Sequence, residues 1–217
     1  MNAGNTNLLI RNLAREAGMK PSRSVVSFDT ALLVGAVLSL AFAMASVFAA
    51  SGIPPGLATT LSSAPFHHKI GSMLTVACGG VFLVRYAGRP GAKALALITV
   101  LPGLVLLIAG AISDASAFPL MGRSAISVPS CVGAIVSLSL LPLAITIGVL
   151  KMGVTTRPAL AGAAAGVLAG ALGALGAAAY SLVCKNDGGL FVAVWYSTAI
   201  SIIVGLGAII GRRALAW

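Results

Sequence analysis

The sequence predicts an all-α membrane protein: six transmembrane helices with both termini in the cytoplasm. Three observations carry this reading. Apolar residues make up 59% of the 217 positions and charged residues 8%, against about 25% charged in a soluble domain. Mean hydropathy is +1.05. The apolar residues gather into six runs, at about 29–51, 68–84, 94–113, 131–150, 159–183 and 191–211. Each approaches the roughly 20 residues that cross a bilayer core as a helix. Lipid cannot satisfy backbone polar groups, so continuous runs of this length read as helices. An outer-membrane barrel would need alternating strands of about 10 residues, and this pattern is absent from the sequence.

The third observation is charge asymmetry. Net charge is +10, which by itself could suggest nucleic acid. Its distribution says otherwise. Arg11, Arg15, Lys20 and Arg23 precede the first span. Arg85, Arg89 and Lys93 lie between the second and third, Lys151 and Arg157 between the fourth and fifth, and Arg212 and Arg213 end the sixth. Only Lys69, Arg123 and Lys185 fall on the other side. Positive charge marks the cytoplasmic side, so the basic excess sets topology and no direct contact with nucleic acid is expected. The first span exceeds the 7–15 residues of a signal-peptide core and reads as an uncleaved helix.

Residues 1–28 form a cytoplasmic arm. Thr6 can cap a short helix that runs to about Ala17, and Gly18 and Pro21 stop it. Leu9, Leu13 and Ala17 recur every four residues with Ile10 beside them, while Arg11 and Arg15 take the other side. Such a helix is marginal alone in water. Its stripe needs a partner groove or lipid headgroups. Residues 29–213 form the six-helix domain and 214–217 a cytoplasmic tail, with no room for a soluble domain between spans.

The first outer connection carries Gly52, Pro54, Pro55 and Pro65 and is rich in turns. Asp29 stands at the inner edge of span one. Lys69 stands at the outer edge of span two, where it can snorkel. Pro102 and Pro142 should bend spans three and four. Span five carries Gly162, Gly166 and Gly170 at a spacing that lets helices approach closely, followed by Gly173 and Gly176.

Little in the chain points to catalysis. It shows no nucleophile elbow, HExxH or phosphate loop, so it is not expected to be an enzyme. No carboxylate stands mid-span, which weakens an ion-coupled transporter. Cys78, in the middle of span two, reads as a buried small hydrophobe. Cys131 begins span four and Cys184 ends span five. A helical hairpin brings these ends together on the outer side. Such a pair can form a disulfide or hold a soft metal ion, with His67, His68 and Asp187 as further ligands on that face. The residues alone leave a structural bridge and a sensor equally open.

The run Thr155-Thr156-Arg157-Pro158, then Ala161-Gly162 and the Gly/Ala-rich span ending in Ala179-Tyr180 and Cys184, resembles the NrsF family. So do Phe191 to Trp195-Tyr196, Gly211-Arg212-Arg213, Trp217, Cys131, Pro142 and the element Phe66 to Lys69. These are negative regulators of sigma F, membrane anti-sigma factors of Gram-negative bacteria. The family often ends in Arg-Trp, and here Ala216 replaces the arginine. The resemblance implies an inner-membrane protein that holds an extracytoplasmic-function sigma factor inactive. It implies that Cys131 and Cys184 are the paired cysteines through which heavy metal or oxidant, such as cadmium or dichromate, is sensed. The arm residues Leu9, Ile10, Arg11, Leu13 and Arg15 then become the expected sigma-binding element. No resident cofactor is expected, only a heavy-metal ion held transiently at the cysteine pair. The expected partners are the sigma factor and the bilayer, and oligomeric state is not legible. The rival readings are a small transporter for metal ions or metabolites and a membrane thiol oxidoreductase, the latter weakened by the lack of a CxxC motif.

Overall fold

The computed structural model describes residues 3–18, 26–52, 62–88, 94–116, 118–122, 124, 126–180 and 188–216. Among these, seven α-helices and one 3-10 run make up the fold and no strand occurs. We number the helices α1 (Ala3–Gly18), α2 (Phe28–Ser51), α3 (Ala64–Ala87), α4 (Leu101–Ile112), α5 (Ser127–Leu150), α6 (Pro158–Tyr180) and α7 (Gly189–Ala214). Five of them, α2, α3, α5, α6 and α7, are long and apolar enough to cross a membrane.

The run expected at 94–113 departs from a single helix. It is a 3-10 stretch, Ala94–Val100, followed by the 12-residue α4. Pro102 falls in the first turn of α4, where its missing N–H costs nothing. Its ring opposes an α turn just before it, and the tighter 3-10 turn results. Thr99 stabilises the junction by donating from Oγ1 to Ala96 O at 2.7 Å and to Gly79 O at 3.0 Å. The 3-10 rise of about 2.0 Å per residue lengthens the segment to about 32 Å in all, close to a hydrocarbon core of about 30 Å. It runs antiparallel to α3: Thr99 meets Gly79, Gly103 meets Val76 and Leu106 meets His68. Pro142, by contrast, lies within an unbroken α5.

α6 is the hub. Within its most apolar stretch 78% of residues are buried, and it packs on α2, α3, α5 and α7. Small residues make this contact possible. Gly162 of α6 abuts the backbone of Gly207 and Gly211 in α7, and Gly166 abuts Ile203 O and Val204 Cα. A Cβ at either glycine would collide with main chain rather than with a side chain that could move aside. The small-xxx-small spacing is thus a seam of backbone on backbone. Large apolar side chains point outward from the other helices, among them Leu33, Val37 and Phe42 of α2, Leu104 and Ile108 of α4, and Ile202 and Ile209 of α7. Lipid is the solvent that suits such a surface.

Buried hydroxyls close on their own helices. Ser39 donates to Gly35 O, Ser72 to His68 O, Ser139 to Ile135 O and Thr146 to Pro142 O, all at 2.6–2.7 Å. Each is thereby satisfied without a partner helix.

Helix ends segregate by charge. Asp29 at the start of α2 forms a two-pronged ion pair with Arg85 at the end of α3, with oxygen–nitrogen distances of 2.7 and 2.8 Å. Phe28 packs on Gly88, Gly88 on Gly153, and Gly211 on Pro158. These contacts bring Arg85, Lys151, Arg157, Arg212 and Arg213 to one end of the bundle. We call it the basic end. His68, Asp114 and the start of α7 occupy the opposite end.

Candidate functional site

The arm folds as a helix three residues longer at its start than the sequence suggests, since α1 begins at Ala3 rather than near Thr6. At 3.6 residues per turn, Leu9, Ile10 and Leu13 share one face, and Arg11 and Arg15 lie on the other. All five are exposed, with Leu9, Ile10 and Leu13 at 55–59%. The arm thus carries an exposed apolar stripe, and in chain order it precedes α2, whose first turn lies at the basic end.

Cys131 lies one turn inside α5 rather than at its end, because the helix starts four residues early at Ser127. A hydroxyl pair makes the early start possible: Ser124 N–H donates to Ser127 Oγ at 3.2 Å, and the two hydroxyls are 2.9 Å apart. Cys131 is 9% exposed and belongs to the core. α5 and α6 pack antiparallel, with Gly173 against Ile135 and Ser139. Cys131 is therefore level with the last turns of α6. Cys184 and Asp187 lie outside the described residues.

Two expectations are corrected. Cys78 is exposed, not buried. It shares a stripe with Leu74 and Phe82 on the outward face of α3, while Ala77, Gly79 and Gly80 turn inward. A mid-span position says nothing about face; the helical phase decides it. His67 and His68 do not join Cys131. They sit on α3, and α3 and α5 each pack on α6 instead of on one another. His67 Nδ1 lies 2.9 Å from Ser63 O, and His68 Nε2 lies 3.0 Å from Leu106 O. Among the described residues no group of three metal-ligating side chains comes together.

The end opposite the basic end holds a construction that the sequence does not reveal. Lys69 is 2% exposed, and its ammonium stands 5.2 Å from the centre of the Tyr196 ring. A cation over an aromatic face is attracted by the ring quadrupole. The lysine is thus enclosed rather than snorkelling. Lys69, His68, Ser113, Asp114 and Ser116 line a pocket of about 330 Å³. Residues of the Phe191–Tyr196 motif build its surroundings. Phe191 meets Phe118 edge to face at 6.1 Å between ring centres, and Trp195 Nε1–H donates to Leu120 O at 2.8 Å.

Asp114 caps α7 from another element. The cap residue Gly188 has no side chain to offer, and Leu190 N–H donates instead to Asp114 Oδ2 at 2.8 Å. Ser116 N–H donates to Oδ1 at 2.9 Å. Hydrogen bonds from Ser116 and Leu190 hold the Asp114 carboxyl below its ordinary range. A depressed folded-state value means stabilisation that is full above the unfolded value of about 3.9 and is lost as pH falls below it. Asp114→Ala should cost about 1 kcal/mol, the usual price of a lost cap. Melting curves of the purified chain at pH 7 and pH 3 should differ less in this variant than in the parent.

The amphipathic arm is legible as a helical stripe. The Lys69–Tyr196 contact and the Asp114 cap join residues 127 and 76 positions apart and leave no local signal.

The family model described as NrsF, negative regulator of sigma F, matches residues 13–217. A curated relative from Azospira oryzae (strain ATCC BAA-33 / DSM 13638 / PS), named probable anti-sigma-F factor NrsF, is 34% identical over 158 residues, covering 70% of this chain and 72% of the relative. No solved structure matches. The arm residues Leu9, Ile10 and Arg11 precede the family match, and Leu13 opens it. With nearly the whole chain matched, the protein belongs to the NrsF family of negative regulators of sigma F.

Proposed function

We propose that the chain is an inner-membrane anti-sigma factor that holds an extracytoplasmic-function sigma factor through its arm and releases it when Cys131 and Cys184 meet heavy metal or oxidant. The observation that carries this is the open stripe of Leu9, Ile10 and Leu13, on a helix that precedes a membrane bundle of this family in the chain. The expected topology is six spans, the sixth supplied by the 3-10 run together with α4, with both termini at the cytoplasmic basic end. The length of that composite segment and its antiparallel course along α3 support this count. Arg11 and Arg15, on the face opposite the stripe, would keep the helix soluble and steer an acidic partner.

In the release mechanism, ligation or oxidation of Cys131 and Cys184 favours one packing of α5 on α6 over another. The signal can shift this equilibrium only by its differential affinity for the two packings. The transporter alternative gains little support. Among the described residues, the buried hydroxyls of Ser39, Ser72, Ser139 and Thr146 close on their own helices instead of pointing along a polar path.

Affinity capture from membranes, with and without residues 1–24, tests the partner. A sigma factor recovered only with the arm supports the proposal, and equal recovery without the arm refutes it. For the sensor, the full chain carrying Cys131→Ser and Cys184→Ser should still repress a sigma-dependent reporter. Induction by cadmium or dichromate should fall at least tenfold. Unchanged induction would remove the cysteines from the mechanism.

A further inference from the structure

The motif Thr155-Thr156-Arg157-Pro158 has no part in the proposed sigma-factor docking or cysteine sensing. Thr155 is buried, Pro158 starts α6, and Thr156 and Arg157 are exposed. Arg157 stands at the mouth of a pocket of about 210 Å³ on the flank of α6. Leu83 of α3, Leu97 of the 3-10 stretch, Leu160 of α6 and Val204 of α7 supply its walls. Among the described residues Arg157 is the only charged one lining it, Thr156 adds a hydroxyl, and the remaining walls are apolar.

The groove arises from the fold itself. The 3-10 stretch winds more narrowly than an α-helix. The facing positions Ala87, Ala96, Ala161 and Ala164 are small. The helices therefore cannot close the gap that α3 and α6 leave between them.

We propose that this groove binds one anionic glycerophospholipid of the inner leaflet, an acyl chain lying along the alanine wall and the phosphate held by Arg157. An engineered apolar cavity of about 150 Å³ binds benzene, so this space accommodates a length of hydrocarbon. An open apolar groove at membrane depth forfeits dispersion contacts unless something fills it, and lipid tails are the surrounding solvent. The head-group preference comes from charge. Among the described residues Arg157 has no carboxylate partner, and its guanidinium matches phosphate oxygens in a two-pronged geometry. Basic sites between helices on the cytoplasmic side favour anionic head groups. The proposal rests on the membrane-spanning reading and on the basic end facing the cytoplasm. It does not depend on the sigma factor.

The test is native mass spectrometry of the full chain released from micelles containing equal phosphatidylglycerol and phosphatidylcholine. The parent should retain one phosphatidylglycerol with about tenfold preference over phosphatidylcholine. Arg157→Gln, at an exposed position, should abolish the preference while still retaining lipid. Ala163→Phe, which projects a ring into the groove, should lower retention of both lipids at least fivefold. Equal retention of the two lipids by the parent, or an unchanged preference in Arg157→Gln, would overturn the proposal. So would increased retention on Leu9→Asp with Leu13→Asp, because the arm would then be the natural occupant. Sigma-factor capture in the same samples stays at the parental level in Arg157→Gln, which keeps a failure here distinct from a failure of the anti-sigma reading.

Discussion

A full-length chain carrying Leu9→Asp and Leu13→Asp is expected to lose its sigma factor by at least a hundredfold in affinity, with its amount in the membrane unchanged. Full burial of a leucine or isoleucine side chain is worth about 1.5–3 kcal/mol. Leu9, Ile10 and Leu13 are already close to half covered by their own helix, so docking recovers about half of that from each. Three such residues give about 3–4 kcal/mol, or two to three decades in affinity. Aspartate at two of the three positions removes the gain and adds the cost of burying charge. Arg11→Gln with Arg15→Gln should act differently, because these residues lie on the opposite face and remain near water. Exposed charge contributes mainly to association rate and salt dependence, so a loss of no more than about fivefold is expected. Titration of detergent-purified chain with the sigma factor distinguishes the two. If the aspartate variant bound normally, the arm would not be the docking element.

The second large effect concerns the fold and pits two glycines of one helix against each other. Gly207→Ala places a methyl group on the backbone of α6 at Gly162, and main chain cannot change rotamer to make room. Overpacking of a tight core costs about 1–3 kcal/mol and occasionally more, and a backbone collision belongs at the upper end. Gly205, two residues earlier, has open space where its methyl group would go. Gly205→Ala should be neutral or stabilise slightly, since alanine is favoured over glycine in a helix by up to about 1 kcal/mol. Unfolding in mixed micelles of dodecyl maltoside and SDS should show opposite shifts for the two variants. Similar losses from both would mean that α6 and α7 do not meet as described.

Much of the architecture can be read from the chain because bilayer thickness imposes a length that composition reveals. The five long helices follow from that, and the arm follows from its period. The 3-10 stretch does not. It depends on Pro102 acting backward on the preceding turn and on a Thr99 bond to Gly79 that requires α3 to be in place. The early start of α5 hinges on Ser124 and Ser127, whose hydroxyls look like ordinary loop residues until they pair. The place of Cys78 along its span does not fix its face, because the helical phase does. Leu74 and Phe82, one turn either side, are both exposed and would have located the outward face. Lys69 shows the limit of local reasoning. Its position predicts an interfacial side chain, and only the distant Tyr196 explains its enclosure.

The hydroxyls of Ser39, Ser72, Ser139 and Thr146 return to their own helices, and this bears on how the bundle can move. None of these four ties one helix to the next. Where they lie, the helices cohere through shape, and sliding or rotating one against another breaks no directional bond. Ladders of hydrogen bonds between helices would lock the bundle in one register. A shift at these levels costs packing but no hydrogen bond, whereas the Asp29–Arg85 pair, the Thr99–Gly79 and His68–Leu106 contacts and Lys69 over Tyr196 tie helices together elsewhere.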